Sequence, residues 1–213
     1  MIVGLGGSAT SDGGLGAVEA LRDRAPFAVP VRVACDVQTA FADAASVYGP
    51  QKGANREQTE VLTARLHTLI DRYRHEFGVD VSSLPGAGAA GGLAGGLAAL
   101  GAELVPGFEL IAEAVGLEEE LSHADLVVTG EGFLDATSFA GKVVGGVVQK
   151  AAERGVPVLV VAGDVAPELV PPVPTFSLVT RVGIELAWHE TGESVARLVS
   201  DVLSRHIERT FDS

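Results

Sequence analysis

The sequence predicts an α/β protein of two lobes built on parallel strands. Three observations carry this. Short, continuous, Val- and Leu-rich runs recur along the chain, as in strands covered on both faces. Stretches of helical periodicity lie between them, and alternation of strand and helix favours parallel pairing. Finally, residues 123–163 read as one complete β-loop-α-β unit.

The strand-like runs are Ile2–Leu5, Val31–Cys35, Leu126–Thr129, Val158–Ala162 and Phe176–Val179. The clearest helix spans Glu57–Phe77, where Val61, Leu62, Leu66, Leu69, Ile70 and Tyr73 recur every three to four residues. Val143–Arg154 and Glu193–Arg209 share that pattern. In the 123–163 unit a strand ends at Thr129-Gly130-Glu131-Gly132, a loop of about ten residues follows, and a helix starts at Lys142. Ligands of open α/β sheets sit beyond the carboxyl ends of strands, so the loop after Thr129 is a site candidate, with Asp164 at the same edge. A lobe boundary is expected near Leu117–His123, giving lobes 1–122 and 123–213. The proline-rich stretch 165–174 reads as a surface loop.

The 213 residues can bury a sizeable core, and 47% hydrophobic with 20% charged residues is a globular composition. A net charge of −13 argues against nucleic-acid or anionic-membrane partners, which need a basic footprint. Most of that charge falls in residues 102–213, with 18 acidic against 7 basic residues, including the triplet Glu118-Glu119-Glu120. The one cysteine, Cys35, allows neither an internal disulfide nor a thiolate zinc cluster and reads as a buried apolar residue. No secretory signal pattern opens the chain, and no apolar run reaches the ~18–20 residues of a membrane span, so a cytoplasmic protein is expected. The five histidines, His67, His75, His123, His189 and His206, lack metal-ligand spacing, His67 and His75 are expected at the surface, and Trp188 is expected to pack.

Four glycine-rich segments stand out. Gly6–Gly14 follows a strand and offers the hydroxyls of Ser8, Thr10 and Ser11 and the carboxylate of Asp12; its plainer reading is a turn with Asp12 as helix cap. Tyr48–Ala54 holds Lys52 between glycines. Only three lysines occur against twelve arginines, and two of them, Lys52 and Lys142, lie in such loops, where a compact flexible cation suits a phosphate. Pro85–Gly96 has no polar side chain and reads either as an anion-binding helix start, with Gly88 and Gly91 approaching the ligand, or as close helix packing. Gly130–Lys142 combines Glu131 and Asp135 with a terminal Gly-Lys; it is not a Walker loop, since Val143 follows the lysine. Carboxylates beside a phosphate loop suit Mg²⁺ or an acceptor hydroxyl.

Taken together, Gly-Gly-Ser-Ala-Thr-Ser-Asp-Gly-Gly at 6–14, Ala-Cys-Asp-Val at 34–37, Gly-Pro-Gln-Lys-Gly-Ala at 49–54, Pro-Gly-Ala-Gly-Ala-Ala-Gly-Gly at 85–92 and Thr-Gly-Glu-Gly…Asp…Gly-Lys-Val at 129–143 resemble, in order and spacing, the class I bacterial glycerate kinases. The resemblance implies ATP-dependent, Mg²⁺-assisted phosphorylation of D-glycerate. It implies a restriction-enzyme-like lobe and a flavodoxin-like lobe with a cleft between them, faced by the Gly6–Gly14 and Gly130–Lys142 loops. It maps motif positions onto Ser8, Asp12, Asp36, Gln51, Lys52, Glu131, Asp135 and Lys142. The expected roles are Asp12, Asp135 and Lys142 in catalysis, Glu131 and Asp135 at the metal, and Ser8, Thr10, Asp36, Gln51, Lys52, Gly88, Gly91 and Glu131 at substrate or phosphate. Relative to the family pattern the chain lacks an Asp-Ser-Phe-Lys-Gly loop and an Ala-Asp-Gly-Gly-Glu-Gly segment, and looks shortened at Leu21–Val31. Thr39-Ala40 replaces an Asn-Pro pair and Thr137 a Gln. A non-catalytic remnant, or one half of a split kinase, is the alternative reading. Missing strands would expose sheet edges, so a homodimer or a partner chain is expected.

Overall fold

The computed structural model describes residues 1–139 and 142–211, with side chains as far as residue 204. It is α/β with two parallel sheets, and its contacts divide the chain into Met1–Ile111 and Ala112–Ser213.

In the first unit, strands β1 (Ile2–Gly4), β2 (Arg32–Cys35) and β3 (Glu103–Pro106) form a parallel sheet in the order β1-β2-β3. Its helices are α1 (Leu15–Leu21), α2 (Ala44–Tyr48), α3 (Arg56–Phe77), α4 (Leu93–Ala99) and α5 (Gly107–Ala114), which runs across the division. Val31, Val33 and Cys35 pack on Ala94 and Leu97 of α4. A second cluster joins Val18 of α1 and Phe41 to Leu66, Leu69, Ile70 and Tyr73, the very stripe whose spacing predicted α3. The start of α3 is set by a reciprocal capping box: Asn55 accepts from Gln58 N at 2.9 Å, and Gln58 accepts from Asn55 N at 2.9 Å. Gly78, at φ 72°, ends the helix. Strand β3 had no counterpart in the sequence reading. It is four residues long, opens on glutamate and closes on proline, and it tolerates that proline because it is an edge strand.

In the second unit, β4 (Val127–Leu134), β5 (Val158–Val165) and β6 (Thr175–Ser177) pair in parallel in that order. Its helices are α6 (Leu117–His123), α7 (Val143–Glu153), α8 (Leu178–Val182), α9 (Ile184–His189) and α10 (Thr191–Phe211). Alternate residues of β5 serve two cores. Val158, Val160 and Ala162 face Leu121 of α6 and Val144 and Ala151 of α7, whereas Leu159 and Val161 face Leu178, Ala187 and Leu198 on α8, α9 and α10. A strand covered on both sides reads as a continuous apolar run, which is why β5 was legible. The chain divides before α6 because Leu121 is part of the second unit's core.

Three expectations change. The run Phe176–Val179 is strand only as far as Ser177, because Leu178 and Val179 open α8. β4 does not end at Thr129-Gly130-Glu131-Gly132 but continues to Leu134, because Gly130 and Glu131 pair with Val161 and Ala162 of β5, and Phe133 and Leu134 with Asp164 and Val165. A methyl group on Gly130 would lie 1.9 Å from Val161 O, so the glycine reflects close strand approach and not a turn. Trp188 is not packed: it is 76% exposed on α9, since Ala187 supplies that helix's buried contact. Cys35 is buried, and His67 and His75 are exposed. The His206 side chain lies outside the described residues, as do Ala140 and Gly141 of the Gly-Lys loop. Among the described residues, no helix is long and apolar enough to cross a membrane.

Candidate functional site

In the first unit the loops after β1 and β2 meet the segment between α2 and α3. A cavity of about 480 Å³ opens there, lined by Gly6, Gly7 and Ser8 after β1, Asp36 and Val37 after β2, and Tyr48, Gln51, Ala89 and Ala90. Three of the expected residues, Ser8, Asp36 and Gln51, thus come from three separate segments to one cavity at the carboxyl edge of a parallel sheet. The Asp36 carboxylate lies against the first residue of α5. A methyl on Gly107 would sit 2.3 Å from Asp36 Oδ1, so glycine there makes room for an anion at a helix start. Beneath it, burial and then the Asp36 charge push the Cys35 thiol up to about 11, which keeps it protonated and inert.

Asp12 takes the capping role. Its Oδ1 accepts from Gly14 N at 3.0 Å and its Oδ2 from Gly16 N at 3.1 Å, fixing the start of α1. Lys52 crosses from the other loop and donates to Thr10 O, tying the two glycine-rich segments together. Burial pulls the Lys52 ammonium below its ordinary pKa, and the nearby Asp12 charge only partly offsets this. Thr10 therefore enters the cluster through its carbonyl. Lys52 and Ser11 line a second cavity, of about 660 Å³, against the first turns of α3.

Gly88 and Gly91 are explained by packing. Gly88 N donates to Thr39 O at 3.0 Å, and a methyl on Gly88 would lie 2.3 Å from Ala40 O. At Gly91 a methyl would lie 2.0 Å from Thr10 O, and the backbone is left-handed at φ 68°. Gly91 O accepts from Gly13 N at 3.0 Å, and the buried Tyr73 hydroxyl donates to Gly13 O at 3.0 Å. The segment is glycine-rich because it carries the Ser8–Asp12 loop on its back.

In the second unit, Glu131 lies on β4 opposite Ala162 of β5, and its Oε1 is buried without a hydrogen-bond partner among the described residues. Just past β4, Asp135 Oδ1 accepts from Thr137 N and Thr137 Oγ1, both at 2.7 Å, and from Ser138 N at 3.2 Å. These bonds, the Thr137 hydroxyl first, hold the Asp135 carboxyl below the usual carboxylate range, with Lys142 adding to the effect. Lys142 Nζ donates to Thr137 Oγ1 at 2.9 Å. Asp135 and Lys142 thus meet at Thr137 just past the carboxyl end of β4, with Glu131 further back on the strand. Among the described residues no three His, Cys, Asp or Glu side chains cluster as a metal cage. One or two carboxylates are what a Mg²⁺ shared with phosphates and water requires, and the orphaned Glu131 oxygen and the ionised Asp135 fit that need.

Three further residues escaped the sequence reading. Tyr48 lines the smaller cavity and shares a 2.7 Å hydrogen bond with Thr39 Oγ1. Ala90 adopts φ 54° in the cavity wall, a conformation alanine seldom takes, and nothing in its sequence context marks it. Arg65 lines the larger cavity, where its helix position reads as ordinary polar surface.

The model of the glycerate kinase family matches residues 22–204. A glycerate kinase of Halalkalibacterium halodurans is 39% identical over 197 residues, covering 77% of this chain and 52% of its own length. Glycerate 2-kinase of Escherichia coli K12 is 36% identical over 202 residues, covering 79% and 53%. A solved Salmonella typhimurium LT2 chain assigned as glycerate kinase 2 superposes with a TM-score of 0.78 at 33% identity, covering 97% of this chain and 65% of its own. This chain spans about half the length of the curated relatives it matches.

Proposed function

Since this chain belongs to the glycerate kinase family, we propose that it takes part in transfer of the ATP γ-phosphoryl group to a hydroxyl of D-glycerate, giving a phosphoglycerate and ADP. The observation that carries the reading is the meeting of Ser8, Asp36 and Gln51 in one cavity at a sheet's carboxyl edge. A compact hydroxy acid needs hydrogen-bonding groups of both kinds in a small space. Ser8 and Gln51 supply donors and acceptors, and Asp36 accepts from a hydroxyl. In the step itself a bond forms between the glycerate oxygen and the γ-phosphorus. The bond from that phosphorus to the bridging oxygen breaks, ADP carries off the electron pair, and the hydroxyl proton passes to a carboxylate, for which Asp36 is the residue in the cavity.

Asp12, expected among the catalytic residues, is assigned to anchoring its loop, because backbone amides donate to both of its oxygens. Lys52 and Lys142 are assigned to phosphate oxygens, Thr10 to holding Lys52, and Gly88 and Gly91 to supporting the loop that carries Ser8. Asp135, held ionised, suits a cation better than a proton, and Glu131 joins it as the second Mg²⁺ ligand. Bound Mg²⁺ would neutralise charge developing on the phosphoryl oxygens. A reaction that consumes ATP fits the cytoplasmic location expected from the sequence.

The test is a coupled ATP-turnover assay with D-glycerate, alongside calorimetric titration of D-glycerate. Asp36→Asn and Ser8→Ala are expected to weaken glycerate binding and turnover together. A wild-type chain that neither binds nor phosphorylates D-glycerate overturns the proposal.

A further inference from the structure

The larger cavity has no part in the assignment of the acceptor site. One wall is a face of α3, where Gln58, Val61, Leu62 and Arg65 recur at helical spacing; the other is the crossing of the Ala9–Ser11 and Gly49–Asn55 segments. Neighbouring residues serve different cavities: Ser8 and Gln51 face the smaller one, Ser11 and Lys52 the larger. The Lys52–Thr10 bond forms part of the partition.

Charge marks this wall. Most arginines of the described residues sit against a carboxylate, as Arg56 does with Glu60 and Arg72 with Glu76. Arg65 makes no ion pair or hydrogen bond among the described residues. Among the described residues Glu57 is the one acidic side chain in the lining, against the two cations Lys52 and Arg65. Between the cations lie Val61, 48% exposed, and the half-buried Leu62, an apolar strip beside a polar rim. The side-chain oxygens of Asn55 and Gln58 are spent on the helix cap, which leaves their amide nitrogens with Lys52, Arg65 and the Ser11 hydroxyl to meet a ligand. In a chain of net charge −13, two cations in one cavity call for an anion.

We propose that this cavity binds the polyphosphate chain of a nucleoside triphosphate through Lys52 and Arg65, with the nucleoside lying along Val61 and Leu62. The inference rests on the phosphotransfer reading and adds to it a donor site adjoining the acceptor cavity, with Arg65 as a phosphate ligand. Partial burial of the Lys52 ammonium supports it, since an arriving anion restores charge compensation that burial has reduced.

The experiment is calorimetric titration of the full chain with ATP, with tripolyphosphate and, separately, with D-glycerate, for wild type, Arg65→Gln and Arg65→Lys. Arg65→Gln is expected to weaken ATP roughly tenfold, the scale of one lost charged contact. Arg65→Lys recovers much of that loss, and D-glycerate affinity stays at the wild-type value. Tripolyphosphate should compete with ATP but bind more weakly, the difference reporting the apolar strip. Equal ATP affinity in wild type and Arg65→Gln, at unchanged thermal midpoints, overturns the inference and leaves the acceptor-site reading standing. A parallel loss of D-glycerate and ATP binding also overturns it, because Arg65 would then act through the fold. Failure of the wild type to bind D-glycerate, with the Arg65 effect on ATP intact, sinks the acceptor reading alone.

Discussion

In both units glycine lets one backbone lie close to another, but the chemistry that accompanies it differs. In Pro85–Gly96 the glycines let one backbone lie on another: Gly91 on Thr10, Gly88 on Ala40, and Gly95 on the Phe41 ring, where an added methyl would sit 2.4 Å from Cδ2. That segment supports a loop and presents little chemistry of its own. In Gly130–Lys142, Gly130 and Gly132 belong to a strand, and the polar groups follow directly, with Asp135, Thr137, Ser138 and Lys142 in one hydrogen-bonded network. Glycine content alone therefore separates neither support from site; the polar residues within hydrogen-bonding reach do.

The sharpest way to break this contrast is Asp135→Asn. If the network is chemical, turnover should fall about 10²–10³-fold, the scale of one lost transition-state contact. Because Asp135 also holds Thr137 and Ser138 amides, about 1 kcal/mol of stability should go with it. Full activity with lowered stability would make the network structural, like its counterpart. On the other side, Gly91→Ala should cost roughly 3 kcal/mol or more, since it adds left-handed strain to a clash with fixed backbone. Its partner measurement is Gly132→Ala, where nothing lies within 4 Å, and a change within about 0.5 kcal/mol is expected. Denaturant midpoints of the two variants read the difference directly.

A smaller effect tests the support from below. Tyr73→Phe removes the buried bond to Gly13 O and should destabilise by about 1 kcal/mol. Cys35 offers a pH test confined to the first unit. Its folded value, about 11, lies above the ordinary 9.0, so the fold favours the protonated thiol. The associated stability is fully present below pH 9 and is lost as pH climbs toward 11. Chemical denaturation across that range should show the fall, and Cys35→Ala should flatten it; a thiol that reacts freely at neutral pH in the native protein would contradict the shift. The gentlest effect concerns association. β4 is an edge strand with Val128 and Phe133 exposed, so self-association or pairing with another chain is expected. Sedimentation should detect it, and Phe133→Lys should reduce it.

Much of this protein was legible in its residue order because the relevant physics is local. The α3 stripe and the continuous apolar run of β5 follow from periodicity and burial. The capping box of α3 follows from residues three apart. The five family motifs are contiguous stretches whose residue order alone carries the kinase resemblance. Packing over distance could not be read that way. Strand β3 is too short and too mixed to announce itself, and it exists because Arg32–Cys35 offers it a parallel partner. β4 outruns its glycines because β5 pairs with Gly130 and Glu131 and again with Phe133 and Leu134. Asp12 serves α1, Gly88 and Gly91 serve neighbouring backbones, and Arg65 stands without an acid among the described residues; each depends on which segment arrives opposite. Local sequence sets what a residue can do, and the fold assigns the neighbour with which it does it.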